Sequence, residues 1–99
     1  MSQEAPPPAG ELHASLEIKN RLGLHARAAG LLVQTAKRFD ANVTVSKDGH
    51  SVNGRSIMGI MMLAAEQGST IEVAISGPQA DEALDAIREL VEARFNESE

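Results

Sequence analysis

Cysteine, tryptophan and tyrosine are absent from this 99-residue sequence, and phenylalanine occurs only twice. Without cysteine there is no disulfide framework and no thiolate zinc site. With so few aromatic rings, the core has to be aliphatic, and 42% apolar residues are enough for a globular fold. No run approaches the roughly 18–20 apolar residues of a membrane helix. The N-terminus lacks a basic segment followed by an apolar one, which excludes a secretory signal. The expectation is a cytoplasmic protein with no membrane association. There is no Walker loop, no dinucleotide fingerprint and no H-x-x-x-H spacing, so neither a cofactor nor a metal is expected. The net charge of −5 opposes general nucleic-acid binding. The length corresponds to one domain.

The charge is unevenly placed. Residues 19–38 hold Lys19, Arg21, Arg27, Lys37 and Arg38 with no acid among them. Residues 81–99 hold seven acids against Arg88 and Arg94. The first segment reads as a basic island in an acidic protein: either a solvated helix face or a docking face for acidic partners. Residues 1–10 (MSQEAPPPAG) show no apolar periodicity and read as a disordered, proline-rich tail. Residues 11–96 form the domain.

Within the domain, Leu12, Ala14, Leu16 and Ile18 alternate with polar residues, the pattern of a half-buried strand. Residues 20–24 make a loop with Gly23 at its turn. Residues 26–39 have helical spacing, with Ala29, Leu32, Val33 and Ala36 inward and Arg27, Leu31, Gln34 and Arg38 outward. Val43 and Val45 mark a second strand. Asp48-Gly49 signals a hairpin into a short strand over residues 51–53. Ser56 is a suitable N-cap for a helix over residues 57–65 (IMGIMMLAA). Ile71, Val73 and Ile75 mark the last strand. Residues 80–95 form an amphipathic helix preceded by Pro78, with acids in its first half. The order β-α-β-β-α-β-α, with one apolar face per strand, predicts an α+β fold: a four-stranded antiparallel sheet covered by helices on one side.

Three places stand out chemically. His13 falls on the polar face of the first strand and His50 in the hairpin, both as surface residues. His25 sits at a helix start, beside the unpaired N–H groups of Arg27 and Ala28, with no acid within seven residues in the chain. Helix N-termini favour negative charge. An imidazole there is suited to carrying a phosphoryl group held by those N–H groups and by the Arg27 guanidinium. Gly30, costly inside a helix by about 1 kcal/mol, permits close approach of another surface. The helix after Ser56 is apolar on every side. Either the helix is simply buried, or, with Ile60, Leu63 and Ala64 inward, it leaves Ile57, Met58, Met61 and part of Met62 outward, as a patch of the kind that marks a partner site. Ser56 itself is a cap, and a phosphate there would be tolerated, with Arg55 placed to pair with it.

LGLHARAAGLL, then VNGRSIMGIMML, then GSTIEVAISGP, in this order and spacing, resemble the HPr phosphocarrier family of the phosphoenolpyruvate-dependent phosphotransferase system. The similarity runs from about residue 11 to residue 95. It implies an HPr-like open-faced β-sandwich, with four antiparallel strands and three helices on one face. It also implies that enzyme I phosphorylates His25 at Nδ1 and that His25 passes the group to an EIIA-type domain. The chain is then a carrier rather than an enzyme, without cofactor and monomeric. Arg27 matches the family's arginine beside that histidine. Ser56 matches the serine modified in many bacteria by an HPr kinase/phosphorylase. Ile57, Met58 and Met61 match the family's apolar docking patch, and Arg27, Gly30, Gln34 and Lys37 on the helix after His25 are expected to join them in binding partners. Many relatives carry proline where this chain has Ala28. That resembles branches linked to nitrogen or regulatory phosphotransfer, and it sets sugar transport in question.

Two other readings belong beside this one. In the first, the chain is a regulatory binding module switched by phosphorylation of Ser56, with His25 secondary. In the second, it is a small ferredoxin-like ligand or RNA module, which the acidic balance and the shortage of aromatics oppose.

Overall fold

A computed structural model describes residues 11–99; the predicted tail over residues 1–10 lies outside the described residues. The elements in order are β1 (Leu12–Glu17), α1 (Ala26–Lys37), β2 (Asn42–Lys47), β3 (His50–Asn53), α2 (Ile57–Met62), β4 (Thr70–Ser76) and α3 (Ala80–Glu92), followed by a short turn at Arg94–Asn96. All strand pairs are antiparallel, in the order β1-β4-β2-β3. The last strand is thus inserted between the first two. Leu16 faces Ile71 across one ladder, and Val43 and Val45 face Ile75 and Val73 across another. Strand alternation puts these six side chains on one buried face. The helices cover that face with Ala29, Leu32, Val33, Ile60, Ile87 and Val91. The opposite face keeps polar residues such as Ser15, whose hydroxyl donates to Glu72 at 2.6 Å. This is the expected four-stranded antiparallel sheet with three helices.

Asp48 and Gly49, at φ 51° and 83°, make the predicted two-residue hairpin. Gly23, at φ 68°, turns the loop before α1.

The helices are shorter than their apolar patterns. α1 ends at Lys37 rather than Phe39, because the chain must turn to enter β2; the Asp40 N–H is taken by the Gln79 side chain at 2.7 Å. Leu31, expected outward, is half-buried against the core. α2 ends at Met62. Ala64 was expected inward but lies exposed at φ 51°, and Ala65 takes the buried place. That reversal turns the Ala65 carbonyl to accept the Leu24 N–H at 2.9 Å, tying the end of α2 to the loop before α1. α3 ends at Glu92, and Phe95 belongs to the separate turn that follows.

Candidate functional site

His25 is the N-cap of α1: its backbone is extended, and its carbonyl receives the Ala29 N–H at 2.8 Å. Its Nδ1 accepts from the Arg27 backbone N–H at 3.3 Å. This much follows from a histidine preceding Ala26, with no acid in the first turn.

The sequence does not suggest what covers the other side of the ring. Glu97, 72 positions away, places its Oε2 2.6 Å from His25 Nε2. The same oxygen accepts from Arg27 Nη1 at 3.2 Å, and Arg27 Nη1 also donates to the Phe95 carbonyl at 3.0 Å. Asn20, fully buried, donates from Nδ2 to Glu97 Oε1 at 3.1 Å and to the Gly23 carbonyl at 2.8 Å. Its own Oδ1 has no partner among the described residues. Burial alone would push the Glu97 carboxyl up; hydrogen bonds from His25 and Asn20, with the charges of His25 and Arg27, outweigh it and hold it below the usual carboxylate range. An ionised carboxylate only accepts, and a backbone N–H only donates. Whenever the ring is neutral, these partners place its proton at Nε2 and its lone pair at Nδ1.

The basic island is thus not free of acid in space. Lys19 Nζ meets Glu92 at 2.6 Å, and Arg21 Nη1 meets Glu99 at 3.0 Å, with the Arg21 N–H also donating to the Glu99 carbonyl at 2.8 Å. Residues 94–99 fold back as a strap over the loop that carries His25. Arg21, Leu22, His25, Arg27 and Glu97 line an open cleft of about 420 Å³. Leu22 is 66% exposed at its rim. Glu97 and Asn20 carry no motif. The one hint in the sequence is that an acid-rich end and an acid-free basic segment of one small domain attract each other.

The remaining candidates fall as follows. Gln34 and Lys37 lie exposed along α1. A Cβ on Gly30 would meet nothing within 4 Å, so that face of α1 stays open. Ile57, Met58, Met61 and Met62 are exposed on α2, at 45%, 75%, 41% and 79%. Ser56 caps α2, its Oγ accepting the Gly59 N–H at 3.0 Å. Arg55 Nη2 donates to the carbonyls of Phe39 at 2.9 Å and Ala41 at 2.8 Å, contacts with which a group on Ser56 would compete. His13 pairs with Glu11 at 2.8 Å and His50 is exposed; neither joins His25.

The fold and the site define a small open-faced sandwich domain with a helix-capping histidine at its rim, one ring nitrogen facing the helix N-terminus. The family model described as "PTS HPr component phosphorylation site" matches residues 12–93. The phosphocarrier protein HPr of Xylella fastidiosa is 51% identical over 86 residues, covering 87% of this chain and 97% of that one. The phosphocarrier protein NPr of Shewanella violacea is 42% identical over 88 residues, covering 89% of this chain and 97% of that one. Among solved structures, an HPr from Thermoanaerobacter tengcongensis superposes with a TM-score of 0.85 at 43% identity, covering 89% of this chain and 99% of the other. The chain belongs to the HPr family of phosphocarrier proteins of the phosphotransferase system.

Proposed function

We propose that this HPr-family phosphocarrier accepts a phosphoryl group from phospho-enzyme I on His25 Nδ1 and passes it to an EIIA-type domain. The observation that carries the reading is the placement of Nδ1, with its lone pair, at the first free N–H groups of α1. The phosphoryl oxygens find those N–H groups ahead of them, and the positive end of the helix favours their charge. Arg27 stabilises the phosphate by turning its guanidinium from Phe95 and Glu97 toward the new charge. Arg27, Gly30, Gln34, Lys37 and the Ile57, Met58 and Met61 patch form the partner-binding face. The protein works as a cytoplasmic monomer, which fits the origin of every group around His25 in a single copy. Incubation with enzyme I and phosphoenolpyruvate should give one acid-labile phosphate per chain. Labelling that survives in His25→Ala refutes the assignment.

Ser56 supports a second role, as the target of an HPr kinase/phosphorylase. It is half-buried at the start of the helix bearing the apolar patch, so a phosphate on it sets two negative charges beside that patch. Ser56→Asp keeps a good N-cap and should slow phosphorylation by enzyme I without loss of fold. An unchanged rate argues against regulation at this position. A reading in which Ser56 alone matters is favoured only if His25→Ala leaves partner binding and its control by Ser56 intact.

A further inference from the structure

We propose that Glu97 is a positioning residue that makes Nδ1, rather than Nε2, the atom of His25 that accepts the phosphoryl group. The inference rests on the phosphocarrier reading and adds to it a residue from the far end of the chain. An imidazole offers two nitrogens to an electrophile, and only the one with a free lone pair reacts. The Glu97 carboxylate lies 2.6 Å from Nε2 and accepts a hydrogen bond from its N–H, so the proton stays on Nε2. That side chain is only 13% exposed against 29% for His25, so it also stands between Nε2 and an incoming donor. Before transfer its two oxygens are themselves held, Oε1 by Asn20 and Oε2 by Arg27; Asn20 keeps its hold when Arg27 turns to the phosphate. The contact on the other nitrogen is weaker: the Arg27 N–H reaches Nδ1 at 3.3 Å, longer than a usual N–H hydrogen bond and easily given up.

The Nδ1 lone pair forms the bond to phosphorus as the donor's phosphorus–nitrogen bond breaks and its electron pair leaves with the donor. Nε2 keeps its proton, so the ring becomes a cation facing the Glu97 carboxylate. In onward transfer the phosphoryl leaves and a neutral, Nε2-protonated imidazole remains. A carboxylate that orients a histidine and stabilises its cation is the role an aspartate plays in hydrolase triads. Here it acts on a carrier.

The test uses the whole chain and potassium phosphoramidate, a small donor that loses ammonia as it phosphorylates histidine. The site on the ring is read by ³¹P and ¹⁵N NMR. The native chain should carry the group on Nδ1. In Glu97→Ala the ratio of Nε2 to Nδ1 product should rise by roughly tenfold or more, the scale of losing a hydrogen bond to a charged group. Glu97→Gln, whose amide oxygen still accepts from Nε2–H, should fall between. Glu99→Ala removes the side-chain tie of the strap to Arg21 but leaves the Glu97 carboxylate, and should keep the native ratio. A native ratio in Glu97→Ala, with His25 still phosphorylated, overturns the role of Glu97 alone. An equal shift in Glu99→Ala also overturns it, because cover by the strap would then direct the reaction. Label that persists in His25→Ala overturns the phosphocarrier reading itself.

Discussion

Replacing Phe95 with alanine should open the strap over His25. Phe95 is fully buried at the end of the chain's path across α3. It sits in a turn whose three residues, Arg94, Phe95 and Asn96, have φ of 55°, 53° and 62°. Left-handed backbone costs about 1–2 kcal/mol per residue, so about 3–6 kcal/mol for three, with asparagine at the low end. Truncating a buried phenylalanine loses about 3–5 kcal/mol. The two figures match: burial of this one ring offsets the strain of the turn. Alanine keeps the strain, since it too has a Cβ, and loses the anchor. Phe95→Ala should therefore lose about 3 kcal/mol, which for a domain of this size lowers Tm by about 12–24 °C. Calorimetry measures that loss. Amide hydrogen exchange measures the opening, because the Asn96 and Glu97 N–H groups, bonded at 2.9 Å to the Ala93 and Arg94 carbonyls, should lose protection before the sheet does. Phe95→Leu, which keeps most of the apolar volume, should retain both. Native-like protection at Asn96 and Glu97 in Phe95→Ala, with a Tm within a few degrees of the native value, would refute the reasoning.

Three further expectations concern the same surface. Gly23→Ala, at φ 68°, would drive a Cβ into the Ala65 carbonyl oxygen that receives the Leu24 N–H, whereas Gly49→Ala, at φ 83°, meets open space. Denaturant midpoints should show the first costing at least about 1 kcal/mol more than the second, and equal costs would sink the steric argument. Glu97 is held below its ordinary value of 4.5, so it binds its proton more weakly folded than unfolded. Its contribution is whole above pH 4.5 and fades as the pH falls below that value through the folded pKa. The Tm advantage of the native chain over Glu97→Gln at pH 7 should therefore shrink by pH 3, and a constant gap would contradict the linkage. Met58→Glu changes a side chain that is 75% exposed. It should leave stability within about 0.5 kcal/mol and raise the KM for phospho-enzyme I by roughly tenfold, the scale of losing one good interface anchor. A native KM would remove Met58 from the docking face.

Much of the fold is legible because two periodicities are clean. Leu12 to Ile18 and Ile71 to Ile75 alternate without a break, and Ala83, Leu84, Ile87 and Val91 keep helical spacing, so element type and buried face both follow. The errors cluster where tertiary contacts set the ends. Apolar composition in residues 57–65 continues past Met62, but the chain leaves the helix so that Ala65 can meet Leu24. Phe95 completes the apolar stripe of α3 by spacing, yet it reaches the core from a left-handed turn. Arg55 stands beside Ser56 in the chain, and its Nη2 reaches the end of the α1–β2 connection, a contact that no local pattern signals.

The candidate site divides along the same line. A histidine at a helix start, an arginine two residues on and an apolar helix opening on a serine are local features, set by capping and composition within a few residues of each other. They are sufficient to suggest phosphoryl chemistry at His25. What stands on the other side of the imidazole is not local. Asn20, His25, Arg27, Phe95 and Glu97 converge only because α3 runs back over β1 and a strained turn, anchored by one buried ring, carries the end of the chain across the loop. No spacing rule encodes a contact 72 residues long. The sequence by itself determined that a histidine caps α1 beside the free N–H groups of its first turn. The tertiary structure decided which group stands beyond each of its two nitrogens, because a partner 72 positions away is set by packing and not by spacing.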